Sequence, residues 1–326
     1  MSISSVLDTL AVALGPGVLR DEPLAHHTAM HVGGPADLLI VCENVDEVVR
    51  AVKLARSSGV DWRLLGGGCN VLVADSGIRG LVIVNRAARI EFGFANDGGL
   101  GQSEGEEAAR VEAGAQLTIL AREAVGHGLT GLEWAAGLPG TVGGAVIGNA
   151  GAFEGDIANV LCSATVLGPD GEVVERPADW FEFGYRSSRI KREALPPSFP
   201  PSGGDEGGGR HVVLAATFGL RQGDPETLAA RVDEILEWRR TRHPSGATMG
   251  STFKNPPDSH AGYLIEQAGL RGYRIGGAQI SELHGNFFMN AGGATAADVL
   301  ALIEHARAEV GRQFEVELEL EIELVG

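Results

Sequence analysis

The nineteen residues from Gly137 to Gly155, GLPGTVGGAVIGNAGAFEG, contain seven glycines and few bulky side chains. A segment this bare cannot build an ordinary core by itself, because burial of side-chain area is what stabilises a core. It can instead bring backbone close to a large flat ligand, with Thr141 and Asn149 available for hydrogen bonds. A glycine-rich structural crossing is the competing explanation. A second segment, Leu65-Gly66-Gly67-Gly68-Cys69-Asn70-Val71, sets three glycines between two strand-like runs. Successive glycine N–H groups can form a concave nest that accepts a pyrophosphate. This loop does not run directly into a helix, as the dinucleotide fingerprint of doubly wound folds does. Alone it is more often a tight turn. Two such segments in one chain favour a dinucleotide ligand over either structural reading.

The surrounding pattern is mixed. Residues 36–41 read as a strand, and 45–57 as a helix with Val45, Val48, Val49 and Val52 on one face and Gly59 as its stop. Strands are expected at 62–65, 71–74 and 80–84, an exposed hairpin insertion at 93–109, and mostly short β patterns from 111 to 220, including 160–167 and 212–220. The Pro/Gly run 195–210 is expected to be a mobile loop. From 225 a helix begins, with Leu228, Val232, Ile235 and Leu236 on one face, and another covers 296–310 with Thr295 as N-cap and Asp298 three residues on. The tail alternates strictly from Phe314 to Leu324, placing glutamates 315, 317, 319, 321 and 323 on one face. That is the pattern of a half-buried strand. The fold class is α+β with mixed sheets, and no internal repeat is visible.

Composition narrows the partners. A net charge of −17 over 326 residues argues against nonspecific nucleic-acid binding. Any anionic ligand then needs cations concentrated locally. Candidates are Arg186, Arg189 and Lys191, then Arg239, Arg240 and Arg242, with Lys254 beyond them. Cys42, Cys69 and Cys162 are too scattered for a disulfide framework or a zinc site, so no metal is expected. No apolar run reaches the roughly 20 residues of a membrane span. The N-terminal stretch lacks a basic leader and reads as a short amphipathic helix, so the expected location is the cytoplasm.

Chemistry-bearing residues follow the glycine segments. Gly250-Ser251-Thr252-Phe253-Lys254-Asn255-Pro256 has no nucleophile elbow and no histidine at a catalytic spacing, so hydrolysis is poorly supported. Ser251 could donate a proton, but only to a strongly basic centre such as a carbanion. A turn or cap serine is the plainer reading. Arg186, in Phe183-Gly184-Tyr185-Arg186-Ser187-Ser188, could pair with a carboxylate or stabilise developing negative charge, or form a surface ion pair.

Taken in order, these blocks resemble the UDP-N-acetylenolpyruvoylglucosamine reductase family, in its shorter second type. The resemblance runs from about His27 to the C-terminus through His27-Thr28, Gly33-Gly34, the Gly66–Asp75 loop, Gly131–Gly155, Tyr185-Arg186, Gly250–Pro256, Ala261–Gly272, Ile275–Asn290 and the final strand. It implies a vanillyl-alcohol-oxidase (PCMH)-type FAD-binding domain over 1–222, in subdomains of about 1–85 and 86–222. A C-terminal α+β substrate domain over 223–318 and a strand at 319–326 returning to the FAD domain would complete it. It implies non-covalent FAD, NADPH as reductant, and reduction of UDP-N-acetylglucosamine enolpyruvate; with the charge and hydropathy above, the expectation is a monomer without nucleic-acid or membrane partners.

By motif, Ser251 would be the proton donor to C2, Arg186 the group that polarises the substrate carboxylate, and Glu321 the second stabiliser of charge, with Glu319 as fallback. The cofactor would lie on Gly66, Gly67, Gly68, Cys69, Asn70, Val71, Ala136, Gly137, Thr141, Gly143, Gly144, Asn149 and Gly151. Tyr185, Lys254 and Asn255 would meet the substrate. Two departures stand out: Cys69 where the family commonly has serine, and Arg242-His243-Pro244 where a glutamine-proline pair is usual. The rival readings are an oxygen-using flavin oxidase of the same fold and a catalytically silent sugar-nucleotide binder. The glycine loop holds no histidine for covalent flavin attachment, and Ser251, Arg186 and Glu321 together argue against silence.

Overall fold

The computed structural model describes residues 3–94, 106–193 and 210–326. The expected loop at 195–210 falls almost wholly outside them, as does the tip of the expected hairpin insertion. The flanks of that insertion, Ile90–Phe94 and Glu106–Glu112, are paired antiparallel strands.

The first sheet has the spatial order Leu19–Pro23, Pro35–Cys42, Ile78–Asn85, Trp62–Leu65. Its inner strands are parallel, and Ile78–Asn85 is buried along almost its whole length. A strand covered on both faces must be apolar at successive positions, as Leu81-Val82-Ile83-Val84 is. One cover is the helix Val45–Ser57, which buries Val48, Ala51, Val52 and Ala55 and is capped by the Asn44 side chain on the Glu47 amide. The N-terminal helix Ile3–Leu14 adds Leu10 and Leu14 to the same core.

The second sheet is antiparallel, ordered Val173–Pro177, Leu161–Leu167, Val212–Gln222, Glu106–Glu112, Ile90–Phe94. Two helices interrupt the expected run of β patterns, Leu117–Gly126 and Val142–Gly148. The first was visible in principle, since Leu117, Leu120, Ala121 and Ala124 recur at helical spacing and are buried. The second lies inside the glycine-rich segment, where propensity opposes a helix. Packing overrides propensity there: a Cβ on Gly143 would stand 2.9 Å from the Ala113 Cβ, so only glycine lets the helix lie this close to the sheet.

The third sheet joins Thr248–Ser251, Phe287–Asn290, Ala278–Ile280 and Arg274–Ile275, all antiparallel. Helices Ala261–Gln267 and Ala296–Phe314 back it, burying Ile265, Val299, Leu302 and Ile303 against Phe253, Ile280 and Phe288. The tail differs from expectation. Phe314 still belongs to the helix, and Glu315 turns the chain out of it in the left-handed region at φ 59°. Burial then alternates through Leu318 and Ile322 as the pattern required. Only Glu323–Val325 forms a ladder, parallel to Val71–Val73 beside the first glycine loop. An isolated bridge joins Leu320 to Phe253.

A further tie joins chain segments 221 and 222 residues apart. Both carboxylate oxygens of Asp75 accept from the first amides of the last long helix, Ala296 N at 2.7 Å and Ala297 N at 3.0 Å. Thr295 and Asp298 complete a reciprocal capping box at the same end. Removing a cap costs about 1 kcal/mol. Asp75→Ala is therefore expected to lower stability by about 1–2 kcal/mol, read as a drop in melting temperature at pH 7.

Candidate active site

A cleft of about 1140 Å³ opens between the two glycine segments and the third sheet. Its volume is somewhat above the roughly 300–1,000 Å³ of ordinary ligand pockets. The glycine segments meet each other directly: a Cβ on Gly66 would stand 2.2 Å from the Thr141 hydroxyl oxygen. Gly68 has φ +61°, and a Cβ there would stand 2.2 Å from the His27 carbonyl oxygen, so no other residue fits. Other glycines face space. An added Cβ on Gly140 or Gly148 would meet nothing within 4 Å, and one on Gly144 only the Thr141 hydroxyl at 3.7 Å. These positions form a cradle that side chains would fill, which is the shape a flat dinucleotide needs.

The cleft wall includes Gly66, Gly67, Gly68, Cys69, Asn70 and Val71 from the first loop, and Gly137, Thr141, Gly143, Gly144 and Gly151 from the second. The Thr141 hydroxyl has no partner among the described residues. The Cys69 thiol donates back to Gly67 O at 3.2 Å, and burial pushes its pKa up, so it remains a thiol. Two residues expected on the cofactor are not part of the cleft wall. Ala136 is fully buried against Val232 and Ile235. Asn149 ends its helix in the left-handed conformation, and its amide is engaged by Gly184 O and Ala158 N.

Because Gly144 faces the cleft from within a helix, Gly144→Ala separates folding from binding. Alanine favours the helix by about 0.5–1 kcal/mol, while one added methyl would crowd a flat ligand seated in the cleft at a cost of about 1–3 kcal/mol. The expected result is an unchanged or higher melting temperature of the ligand-free protein and about tenfold weaker binding of a flat dinucleotide in the cleft, by fluorescence titration.

Ser251, Arg186 and Glu321 line the same cleft, with Arg186 donating to Gly151 O at 3.0 Å. Ser251 ends a strand of the third sheet, and its hydroxyl has no partner among the described residues. Glu321 N donates to Thr252 O at 2.9 Å, and Asn70 Nδ2 donates to Glu321 O at 3.2 Å, which pins the carboxylate-bearing residue between Ser251's strand and the glycine loop. Arg186 Nε lies 2.8 Å from Glu321 Oε1, but the Nε–H is not aimed for a hydrogen bond, so the contact is an ion pair by distance alone. Burial raises the Glu321 pKa above its ordinary value, a loss of hydration that outweighs the attraction of Arg186, Lys191 and Lys254.

Only Glu321 and Glu323 of the five tail glutamates reach the cleft. Glu319 is exposed and paired with Lys254. Lys191, also in the wall, stands 3.7 Å from Glu323. Tyr185, Lys254 and Asn255 are not part of the wall. They meet beside it, with Asn255 N donating to the Tyr185 hydroxyl at 3.4 Å and Asn255 Oδ1 accepting from Ala261 N. Arg239 and His243 also line the cleft, and Arg239 packs beside Gly137. The Arg239 guanidinium lies over Phe153, its Nε is buried without an acceptor, and burial lowers its pKa. Burial and Arg239 hold His243 down to about 4, so its ring is neutral at pH 7. The sequence offered basic clusters here without showing which cation turns inward.

The glycine-lined cradle suits a large flat cofactor, and the chain's likeness to an FAD binding domain family and to known reductases makes it an FAD-dependent oxidoreductase with a flavin domain of the vanillyl-alcohol-oxidase type. Residues 36–176 match the FAD binding domain family, and residues 242–325 match the UDP-N-acetylenolpyruvoylglucosamine reductase C-terminal domain. The UDP-N-acetylenolpyruvoylglucosamine reductase of Bacillus subtilis is 40% identical over 310 residues, 95% of this chain and 94% of the relative. That of Rubrobacter xylanophilus is 42% identical over 313 residues, 96% and 97% of the two chains. The crystal structure of the Thermus caldophilus enzyme superposes with a TM-score of 0.72 at 34% identity, covering 95% of this chain and 99% of that one. The chain belongs to the UDP-N-acetylenolpyruvoylglucosamine reductase family.

Proposed function

We infer that this protein uses NADPH and bound FAD to reduce UDP-N-acetylglucosamine enolpyruvate to UDP-N-acetylmuramate, a peptidoglycan precursor. The observation that carries the reading is one cleft lined both by the glycine cradle and by Ser251, Arg186 and Glu321. The cradle residues from Gly66 to Val71, with Gly137, Thr141, Gly143, Gly144 and Gly151, are proposed to hold FAD. When bound, FAD supplies the hydride that adds to C3 of the enolpyruvyl group.

The chain's own part is charge and proton management. Arg186 receives the substrate carboxylate in a charge-assisted contact. Addition at C3 puts negative charge on C2, conjugated with that carboxylate, and this carbanion-like centre is basic enough to take the Ser251 hydroxyl proton. In its protonated form, which burial favours, Glu321 would donate a hydrogen bond to the charge as it builds. Tyr185, Lys254 and Asn255, which meet beside the cleft, are proposed to contact the substrate. The assignment includes the domain roles of 1–222 for FAD and 223–318 for substrate, with 319–326 closing the site. It also places the reaction in the cytoplasm; no helix among the described residues is long and apolar enough to cross a membrane.

The test is NADPH oxidation by the purified protein with and without the enolpyruvyl sugar nucleotide. The protein is expected to be yellow, to release its flavin on denaturation, and to turn over only when the substrate is present. Colourless protein that FAD cannot reconstitute, or oxidation indifferent to the enolpyruvyl group, refutes the reading.

A further inference from the structure

Arg186 occupies a backbone conformation that a side-chain-bearing residue rarely adopts, with φ +54°. Such a geometry persists only where its surroundings hold it. Around it the chain makes a narrow turn in which Gly184 and Ser187 exchange both backbone hydrogen bonds, at 3.0 and 3.1 Å. Three further bonds fasten this turn to the end of the helix Val142–Gly148. Asn149 Nδ2 donates to Gly184 O at 3.1 Å, Ser188 Oγ donates to Ile147 O at 2.7 Å, and Arg186 Nη1 donates to Gly151 O at 3.0 Å. Asn149 and Ser188 are both buried, at 6% and 0% exposure, so these bonds do not compete with water.

Asn149 is suited to this place by its own backbone. It tolerates the left-handed region, at φ 43°, and that turn swings its amide away from the cleft towards Gly184. Its oxygen accepts from Ala158 N at 3.0 Å, which fixes the amide's orientation. Ser188 also accepts from Lys191 N at 3.2 Å, starting the short helix that carries Lys191 to the cleft wall.

We propose that Asn149 and Ser188 are positioning residues that lock the Arg186 turn to the end of the glycine-lined helix. The surface that cradles the cofactor and the arginine that meets the substrate carboxylate thereby move as one body. The inference rests on the role assigned to Arg186 above.

Asn149→Gly keeps the left-handed conformation and removes only the amide. In FAD-loaded enzyme it is expected to leave flavin reduction by NADPH within about twofold, while reoxidation by the enolpyruvyl substrate slows about 10- to 100-fold, the scale of an ångström's misplacement. Ser188→Ala is expected to act in the same direction. In an Arg186→Ala background neither substitution should slow reoxidation further, because residues acting through one group are non-additive. In flavin-free protein, hydrogen exchange at the Gly184 and Ser187 amides should speed up in both variants. Equal loss in both half-reactions, full additivity with Arg186→Ala, or unchanged exchange at the turn each overturns the proposal. If Arg186→Ala alone reoxidises at the normal rate, the role given to Arg186 fails instead, and the two failures are distinguishable.

Discussion

Replacing Ser251 by alanine is expected to leave reduction of the bound flavin by NADPH intact and to slow reoxidation by the enolpyruvyl substrate about 10³-fold. The first half-reaction needs no proton at C2, so it does not draw on the hydroxyl. The second ends with a proton delivered to C2, and a positioned acid contributes about 10²–10⁴-fold. The side chain has no partner among the described residues and ends a strand anchored through Phe287. Its removal therefore deletes a donor without unpicking a network. Stopped-flow absorbance of the flavin separates the two half-reactions. Equal slowing of both would make Ser251 a structural residue. Ser251→Cys, which retains a proton on a different atom, should fall between alanine and wild type.

Glu321→Gln is expected to slow the same half-reaction about 100-fold without costing stability at pH 7. Folding raises the Glu321 pKa above its ordinary 4.5, so ionising it is harder in the folded protein than in the unfolded chain. Stability is thus lost as pH rises above that ordinary value, and a neutral amide escapes the loss. The melting temperature of the glutamine variant should equal or exceed that of wild type at pH 7, and the advantage should shrink on going to acid. Catalysis runs the other way. If the protonated carboxyl donates to charge building beside C2, the wild-type reoxidation rate falls as pH rises through the Glu321 ionisation, and the variant loses that limb. A glutamine variant with the wild-type pH profile would remove Glu321 from the proton chemistry.

Both predictions turn on residues whose roles were legible to different degrees. The helix Val45–Ser57 and the strand Ile78–Asn85 follow from local periodicity and an apolar run, which neighbouring residues suffice to specify. The helix Val142–Gly148 does not, because its glycines oppose a helix until the sheet packs on them. Asn149 shows the same limit at a single side chain. In sequence it is a free amide beside the glycines, while in the fold Gly184 and Ala158 claim it.

What the sequence determined by itself is the pair of glycine segments and the blocks that accompany them. Absent side chains are a local fact, and they already restrict those segments to close backbone approach. What only the tertiary structure decided is which groups face the space they leave. Five tail glutamates share one face of an alternating pattern, yet Glu319 turns outward to Lys254 while Glu321 turns inward to Arg186. The reason is that the last strand pairs with Val71–Val73 on one side while Thr252 and Phe253 bridge it on the other. Contacts across about 70 and 250 residues of chain select the carboxyl group, and no local pattern encodes them.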